Sequence, residues 1–364
     1  MLDTWLAARL QAVKEDGLWR QSRVISHDAG AMVRVDGQRA LNLAGNDYLG
    51  LAADAPAVSG AGAGASPLVA GHSQQHQALA ERLADWLGYP AVRLFSSGFA
   101  ANVGVLSLFP EVAVFHDRLN HASLLDGSRH AGQRFRRFPH NDLEVLRRWL
   151  KGPALLVSDG VFSMDGDCAD LPALAALGQP LYVDDAHGIG VLGQHGRGIS
   201  EAQGLRPDIL VGTFGKALGA AGAFVACSDT VASAIDNLCR EYIYSTALPL
   251  STVTLVNAQL ERLQQQSWRR QHLSELIALF QQQCQQRALP VLPSQTPIQP
   301  VLCRSSAAAV KLSQQLLARG YFCPAIRPPT VAQPRLRITL NALIEPAQLN
   351  GLCDLLEVHR DCLA

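Results

Sequence analysis

At 364 residues, with 48% hydrophobic and 17% charged side chains, the chain has ample apolar material for a large core and too little charge for a disordered polymer. Lys plus Arg (31) balances Asp plus Glu (31), and Arg134, Arg136 and Arg137 are too short a basic cluster to neutralise phosphates, so no nucleic-acid binding is expected. No apolar run approaches the roughly 20 residues of a membrane span, Asp3, Arg9, Lys14, Glu15 and Asp16 break any signal-peptide core, and the eight cysteines form no C-x-x-C pair; the expectation is a cytoplasmic protein, not bound to a membrane, with free thiols.

Residues 2–19 carry Leu2, Trp5, Leu6, Leu10 and Val13 at helical spacing, which predicts one amphipathic helix. Residues 31–35 and 40–43 read as strands joined across Asp36-Gly37, a hairpin turn signal. Residues 54–71, rich in Ala, Gly, Ser and Pro, read as a flexible or closely packed loop. From about 90 to 226, apolar runs at 92–95, 112–115, 154–157, 181–183, 209–211 and 223–226 alternate with helical patterns. That rhythm predicts βα units and a mostly parallel sheet covered on both faces. Residues 251–289 predict one long helix or two, with Leu273, Leu276, Ile277 and Phe280 as the apolar stripe. Strand, helix, strand, helix at 299–303, 307–318, 336–340 and 346–359 predict a smaller α+β domain.

Four features carry chemistry. Asp184 and His187 follow a buried strand in Val183-Asp184-Asp185-Ala186-His187-Gly188, at the strand end where α/β proteins bind ligands. Lys216 ends Thr213-Phe214-Gly215-Lys216 in an apolar, Gly-rich setting where desolvation lowers an amine's pKa and suits it to Schiff-base chemistry. Ser96-Ser97-Gly98-Phe99-Ala100-Ala101-Asn102 follows a short strand and opens a helix, a turn whose backbone N–H groups bind phosphate, without the G-K-[ST] of a P-loop. Asn120-His121-Ala122-Ser123 follows another strand, where an imidazole can stack on a flat ring. Taken singly, each has a plain reading: a capping Asp, a loop Lys, a Ser helix cap, a loop His.

Their order is the stronger signal, because Lys216 comes 32 residues after Asp184 (216 − 184 = 32), behind a phosphate turn and a His. This layout resembles the aspartate-aminotransferase-like, fold-type-I enzymes that use pyridoxal 5'-phosphate (PLP), and within them the α-oxoamine synthases. The resemblance runs from about Gly17 to Val358 and includes Asn46-Asp47-Tyr48-Leu49-Gly50-Leu51, Phe162-Ser163-Met164-Asp165-Gly166-Asp167, Asp184-Asp185-Ala186-His187-Gly188, Thr213-Phe214-Gly215-Lys216 and Tyr244-Ser245-Thr246. It departs from the family at residues 52–73, which are shortened and poorer in Gly and Ser, at the expected entrance for the acyl donor.

The resemblance implies an α/β fold with a mostly parallel central sheet. It divides the chain into an N-terminal helix and strand pair (1–45), a large PLP-binding domain (46–250), and a long helix with a C-terminal α+β domain (251–364). It implies Lys216 as the PLP-bearing residue and base, Asp184 on the pyridine nitrogen, His187 and Ser163 on the ring oxygen, and His121 over the ring and beside the substrate. Gly98, Phe99 and Thr213 would bind the phosphate, joined by Ser245 and Thr246 from the partner of a homodimer with shared sites. Asn46, Arg337, Arg20 and Thr330 would contact substrate. Ile298-Gln299-Pro300 and residues 325–330 are more like the branch that condenses L-alanine with pimeloyl-CoA, or pimeloyl on a carrier protein, to 8-amino-7-oxononanoate, CoA and CO2 for biotin. Rival readings are a family member acting on glycine and acetyl-CoA, an NAD-binding dehydrogenase hinted at by Gly60, Gly62 and Gly64, and a binding protein without catalysis.

Overall fold

The computed structural model describes residues 2–15 and 18–364. Helix α1 (Leu2–Glu15) is shorter than expected; of the expected helix, Asp16 lies outside the described residues, as does Gly17, where the family resemblance begins. No residue of its apolar stripe is buried among the described residues, and Leu2 and Trp5 are each 66% exposed.

Strands β1 (Ile25–His27), β2 (Met32–Val35) and β3 (Gln38–Asn42) form an antiparallel set. The β2–β3 turn has φ of 50° at Asp36 and 88° at Gly37, the doubly positive geometry of a tight hairpin. β1 had no counterpart in the sequence reading. Residues 54–71 are irregular up to Ser66 and then form a single helical turn, Pro67–Gly71.

Helix α2 (Gln74–Leu87) leads into the central sheet: β4 (Ala91–Phe95), β5 (Ala113–Asp117), β6 (Phe135–Phe138), β7 (Ala154–Asp159), β8 (Leu181–Asp184), β9 (Ile209–Thr213) and β10 (Ala223–Cys227). Their order is β4-β10-β9-β8-β7-β5-β6, and only β10 runs against its neighbours. The strands read as continuous apolar runs because both faces are covered. Ala154 and Leu156 enter one core cluster with Leu181 and Val183, while Leu155 and Val157 enter the other with Tyr182 and Val211. Helices α3 (Gly98–Leu106) and α4 (Ala122–His130) pack together on the second face.

Two further helices, Leu250–Gln265 and Trp268–Gln286, occupy the long helical stretch. The C-terminal part contains β11 (Ile298–Leu302), β12 (Tyr321–Phe322), β13 (Ala325–Ile326) and β14 (Arg335–Thr339), with β14 between β11 and β13. β12 joins β3 in parallel, so the N-terminal strands and the C-terminal part share one sheet. No helix among the described residues is long and apolar enough to cross a membrane.

Candidate active site

The carboxyl ends of β7, β8 and β9 and the N-termini of α3 and α4 enclose a cavity of about 200 Å³. Gly98, Phe99, His121, Ser163, Asp184, His187, Thr213 and Lys216 line it, together with Ser123, Asp159 and Ala186. The structure thus brings together residues spread over more than a hundred positions. Each comes to the cavity because parallel strands end on one side of the sheet.

Asp184 is the last residue of β8 and is 8% exposed. Asn102 Nδ2 donates to its Oδ2 at 2.6 Å, and Ala186 N donates to Oδ1 at 3.0 Å. Asn102 is itself held from behind: the Tyr182 hydroxyl donates to its Oδ1 at 2.8 Å. The carboxylate therefore has a fixed direction. Its register partner on β7 is Asp159, a second buried carboxyl that accepts from the His121 backbone N–H at 3.0 Å. Burial, and then the negative charge of Asp184, push the Asp159 carboxyl well above the usual range.

Asp185 faces the other way, into the core, and accepts from Ile199 N at 2.7 Å. Gly160, Gly188 and Gly198 surround it so tightly that a Cβ at any of them would collide with its carboxyl group. That crowding is the reason for the glycine after His187.

Lys216 sits in this apolar, Gly-rich wall, and burial lowers its amine to about 8, against the opposing pull of Asp184 and Asp159. A useful share of free amine is present near neutral pH, as Schiff-base chemistry requires. His187 is buried and kept neutral: burial, then the charges of Lys216 and Arg337, drive its pKa well below normal. Tyr48 lies 2.6 Å from His187 Nδ1. His121 caps α4, with its Nδ1 2.7 Å from Ser123 Oγ, and meets Phe99 edge-on at 6.5 Å.

Outside the cavity lining, Arg337 Nε donates to the Ser163 carbonyl at 2.6 Å and Nη2 to Asn46 Oδ1 at 3.3 Å, placing both substrate candidates at the rim. Arg20 and Thr330 are exposed and do not line the cavity. Nor do Ser245 and Thr246, and Thr246 is exposed. Gly60, Gly62 and Gly64 lie in an irregular segment with no strand before them, so the dinucleotide reading has no structural support. Tyr48, Asn102 and Ser123 stand inside motifs the sequence reading quoted but were given no role there, and Asp159 was not marked. Asp159 carried the same signal as Asp184, a carboxylate ending a buried strand; the other three carried none that was local.

The donor set fits PLP. A desolvated amine, a directed carboxylate, a neutral imidazole and a helix N-terminus share one cavity, and a Cβ at Gly98 would meet only open space. The Ser97 side chain caps Ala100 N, leaving the first N–H groups of α3 for a phosphate. Fold and site define a PLP-dependent enzyme of fold type I. The match to the family of class I and II aminotransferases covers residues 38–356, and the chain belongs to that family. It is 46% identical over 376 residues to 8-amino-7-oxononanoate synthase of Pseudomonas putida strain W619, across 96% of each sequence. It is similar in structure to serine palmitoyltransferase of S. paucimobilis with PLP and myriocin bound, at a TM-score of 0.89 and 26% identity over 99% of this chain and 97% of that one. A structure of 8-amino-7-oxononanoate synthase from Francisella tularensis superposes at a TM-score of 0.78 and 27% identity, over 88% and 97% of the two chains.

Proposed function

We propose that this protein condenses L-alanine with pimeloyl-CoA, or with pimeloyl on a carrier protein, releasing CoA and CO2 and forming 8-amino-7-oxononanoate for biotin synthesis. The observation that carries the chemistry is the Lys216 amine sharing one cavity with the Asn102-held carboxylate of Asp184. The acyl acceptor and donor follow from the 46% identity to 8-amino-7-oxononanoate synthase.

When bound, PLP supplies an electron sink for negative charge at the amino acid's Cα. Lys216 would hold it, and its amine would serve as the general base for the Cα proton. Asp184 would keep the pyridine nitrogen protonated. His187 and Ser163 would hold the ring oxygen, and His121 would pack on the ring. Gly98, Phe99 and Thr213 take the phosphate; in the structure the Thr213 hydroxyl donates to Gly222 O at 3.0 Å and accepts from Gly215 N at 3.1 Å, so it turns to do so. Arg337 and Asn46 bind the alanine carboxylate, for which Arg337 keeps further N–H donors beyond the two it has used. We assign Arg20 and Thr330, both exposed, to the acyl donor.

The working unit in this reading is a homodimer with shared sites, in which Ser245 and Thr246 reach the partner's phosphate. Three observations support it: Thr246 does not line its own cavity, Tyr244 is 71% exposed beside it, and the apolar stripe of α1 stays exposed among the described residues. All eight cysteines are free, which suits a reducing compartment, and we place the protein in the cytoplasm.

The test is CoA release over a grid of amino acids and acyl-CoAs. L-alanine with pimeloyl-CoA should give the highest kcat/KM. A preference for glycine with acetyl-CoA would move the protein to another branch of the family.

A further inference from the structure

His140 follows the edge strand β6, and both its ring nitrogens meet carboxylates. Nδ1 lies 2.9 Å from Asp117 Oδ1, and Nε2 lies 2.7 Å from Asp167 Oδ2. A neutral imidazole has one N–H and satisfies one such partner; only the doubly protonated ring satisfies both. Burial alone would lower its pKa, but the hydrogen bonds to Asp117 and Asp167 outweigh that and raise it to about 10. The ring therefore stays charged at any ordinary pH.

The two carboxylates belong to the two segments that carry His121 and Ser163 to the cavity. Asp117 ends β5 and organises the turn to His121: its Oδ1 accepts from Leu119 N at 2.8 Å, its Oδ2 from Asn141 N at 2.8 Å, and its carbonyl from Asn120 N at 3.2 Å. Asp167 ends the loop that carries Ser163. That loop closes on itself, with Phe162 N donating to Asp167 O at 2.9 Å and Gly166 N to Phe162 O at 2.8 Å. The imidazole also stands edge-on to Phe162, the residue before Ser163, with centroids 4.4 Å apart at 86°. Arg335 on Asp165 and Arg337 on the Ser163 carbonyl grip the loop from the other side.

We propose that the Asp117–His140–Asp167 bridge is a positioning device that sets the distance between His121 and Ser163 across the cofactor cavity. His140 lines no part of that cavity, so it is a positioning residue. This rests on the reading of the cavity as the PLP site. Loss of the bridge lets the 162–167 loop drift, and displacement of a positioning shell by about 1 Å is enough to cost orders of magnitude in rate.

The experiment compares wild type, His140→Gln and Asp167→Asn. Gln is neutral and donates to one carboxylate at most; Asn leaves the imidazolium paired with Asp117 alone. PLP affinity is measured by titrating each apoprotein, the visible spectrum of the bound cofactor is followed against pH, and melting temperature is recorded in parallel. Both variants should fold, bind PLP about ten-fold more weakly, and shift the pH midpoint of the spectrum. A lower melting temperature with wild-type PLP affinity and spectrum makes the bridge a structural tie only and overturns the proposal. Should His140→Gln not fold, Asp167→Asn decides by the same readings. If wild type itself does not take PLP on Lys216, the reading of the cavity fails instead, a separate outcome.

Discussion

The phenol of Tyr48 lies 2.6 Å from Nδ1 of His187, across 139 residues of chain, and both side chains are buried. The phenol has one proton and a second possible acceptor, Asn46 Oδ1, at 3.1 Å. That oxygen also receives Arg337 Nη2 and has a lone pair for each donor, so the Tyr48 hydroxyl donates to it or to His187 Nδ1 as the imidazole tautomer dictates. Because His187 is held neutral, the ring carries a single N–H, and the direction of the Tyr48 contact is tied to which nitrogen bears it. Burial raises the Tyr48 hydroxyl to about 12, so it stays protonated in this role. Tyr48→Phe should lower kcat for L-alanine and pimeloyl-CoA about ten-fold, equivalent to about 1.4 kcal/mol. Unchanged kinetics would remove Tyr48 from the site.

Asn102→Asp tests the support behind Asp184. The new carboxylate would stand where Nδ2 now lies 2.6 Å from Asp184 Oδ2, and two carboxylates that close share a proton. The negative charge at Asp184 would drop. PLP affinity, measured by titrating apoprotein, should fall at least about ten-fold. Equal affinity in wild type and variant would show that the Asn102 bond does not set the carboxylate's state.

The depressed amine of Lys216 gives a pH signature in the protein without cofactor. An ordinary lysine becomes nucleophilic only as pH approaches about 10.4. Lys216, lowered to about 8, should be acetylated by trace acetic anhydride with a midpoint near that pH, read peptide by peptide in a mass spectrometer. The folded-state pKa lies below the unfolded one, so the unfolded chain holds the extra proton between the two values and stability from this group rises with pH across that window. A midpoint shared with the exposed Lys311 would contradict the desolvation account.

The central sheet was legible because most of its strands are apolar runs buried on both faces, as in β7, where every residue is buried. β6 was not, since Phe135-Arg136-Arg137-Phe138 is an edge strand with two arginines in solvent. β12 and β13, at two residues each, are too short to carry a pattern. In the site, Asp184, His187 and Lys216 could be read because a polar motif follows an apolar strand. Asn102 could not: it sits inside a helix, 82 residues from the carboxylate it holds, and only the packing of α3 against the sheet brings them together.

Shared sites predict complementation. Lys216→Ala and Thr246→Glu should each be inactive, the second because it sets a carboxylate against phosphate. Refolded together in equal amounts, random pairing makes half the dimers mixed, each with one intact site, so activity should return to at most about a quarter of wild type. No recovery, from well-folded parents whose subunits demonstrably exchange, would rule sharing out.

The most direct measurement is where PLP attaches. The chain's lysines are Lys14, Lys151, Lys216 and Lys311, so the answer is unambiguous. Borohydride reduction of the PLP-loaded protein, followed by proteolysis and mass spectrometry, should find the pyridoxyl group on Lys216 alone, with the 400–430 nm absorbance (roughly, for a lysine Schiff base) abolished by reduction. Pyridoxyl label on another lysine, or none at Lys216 in a protein that turns over L-alanine and pimeloyl-CoA, would contradict the account.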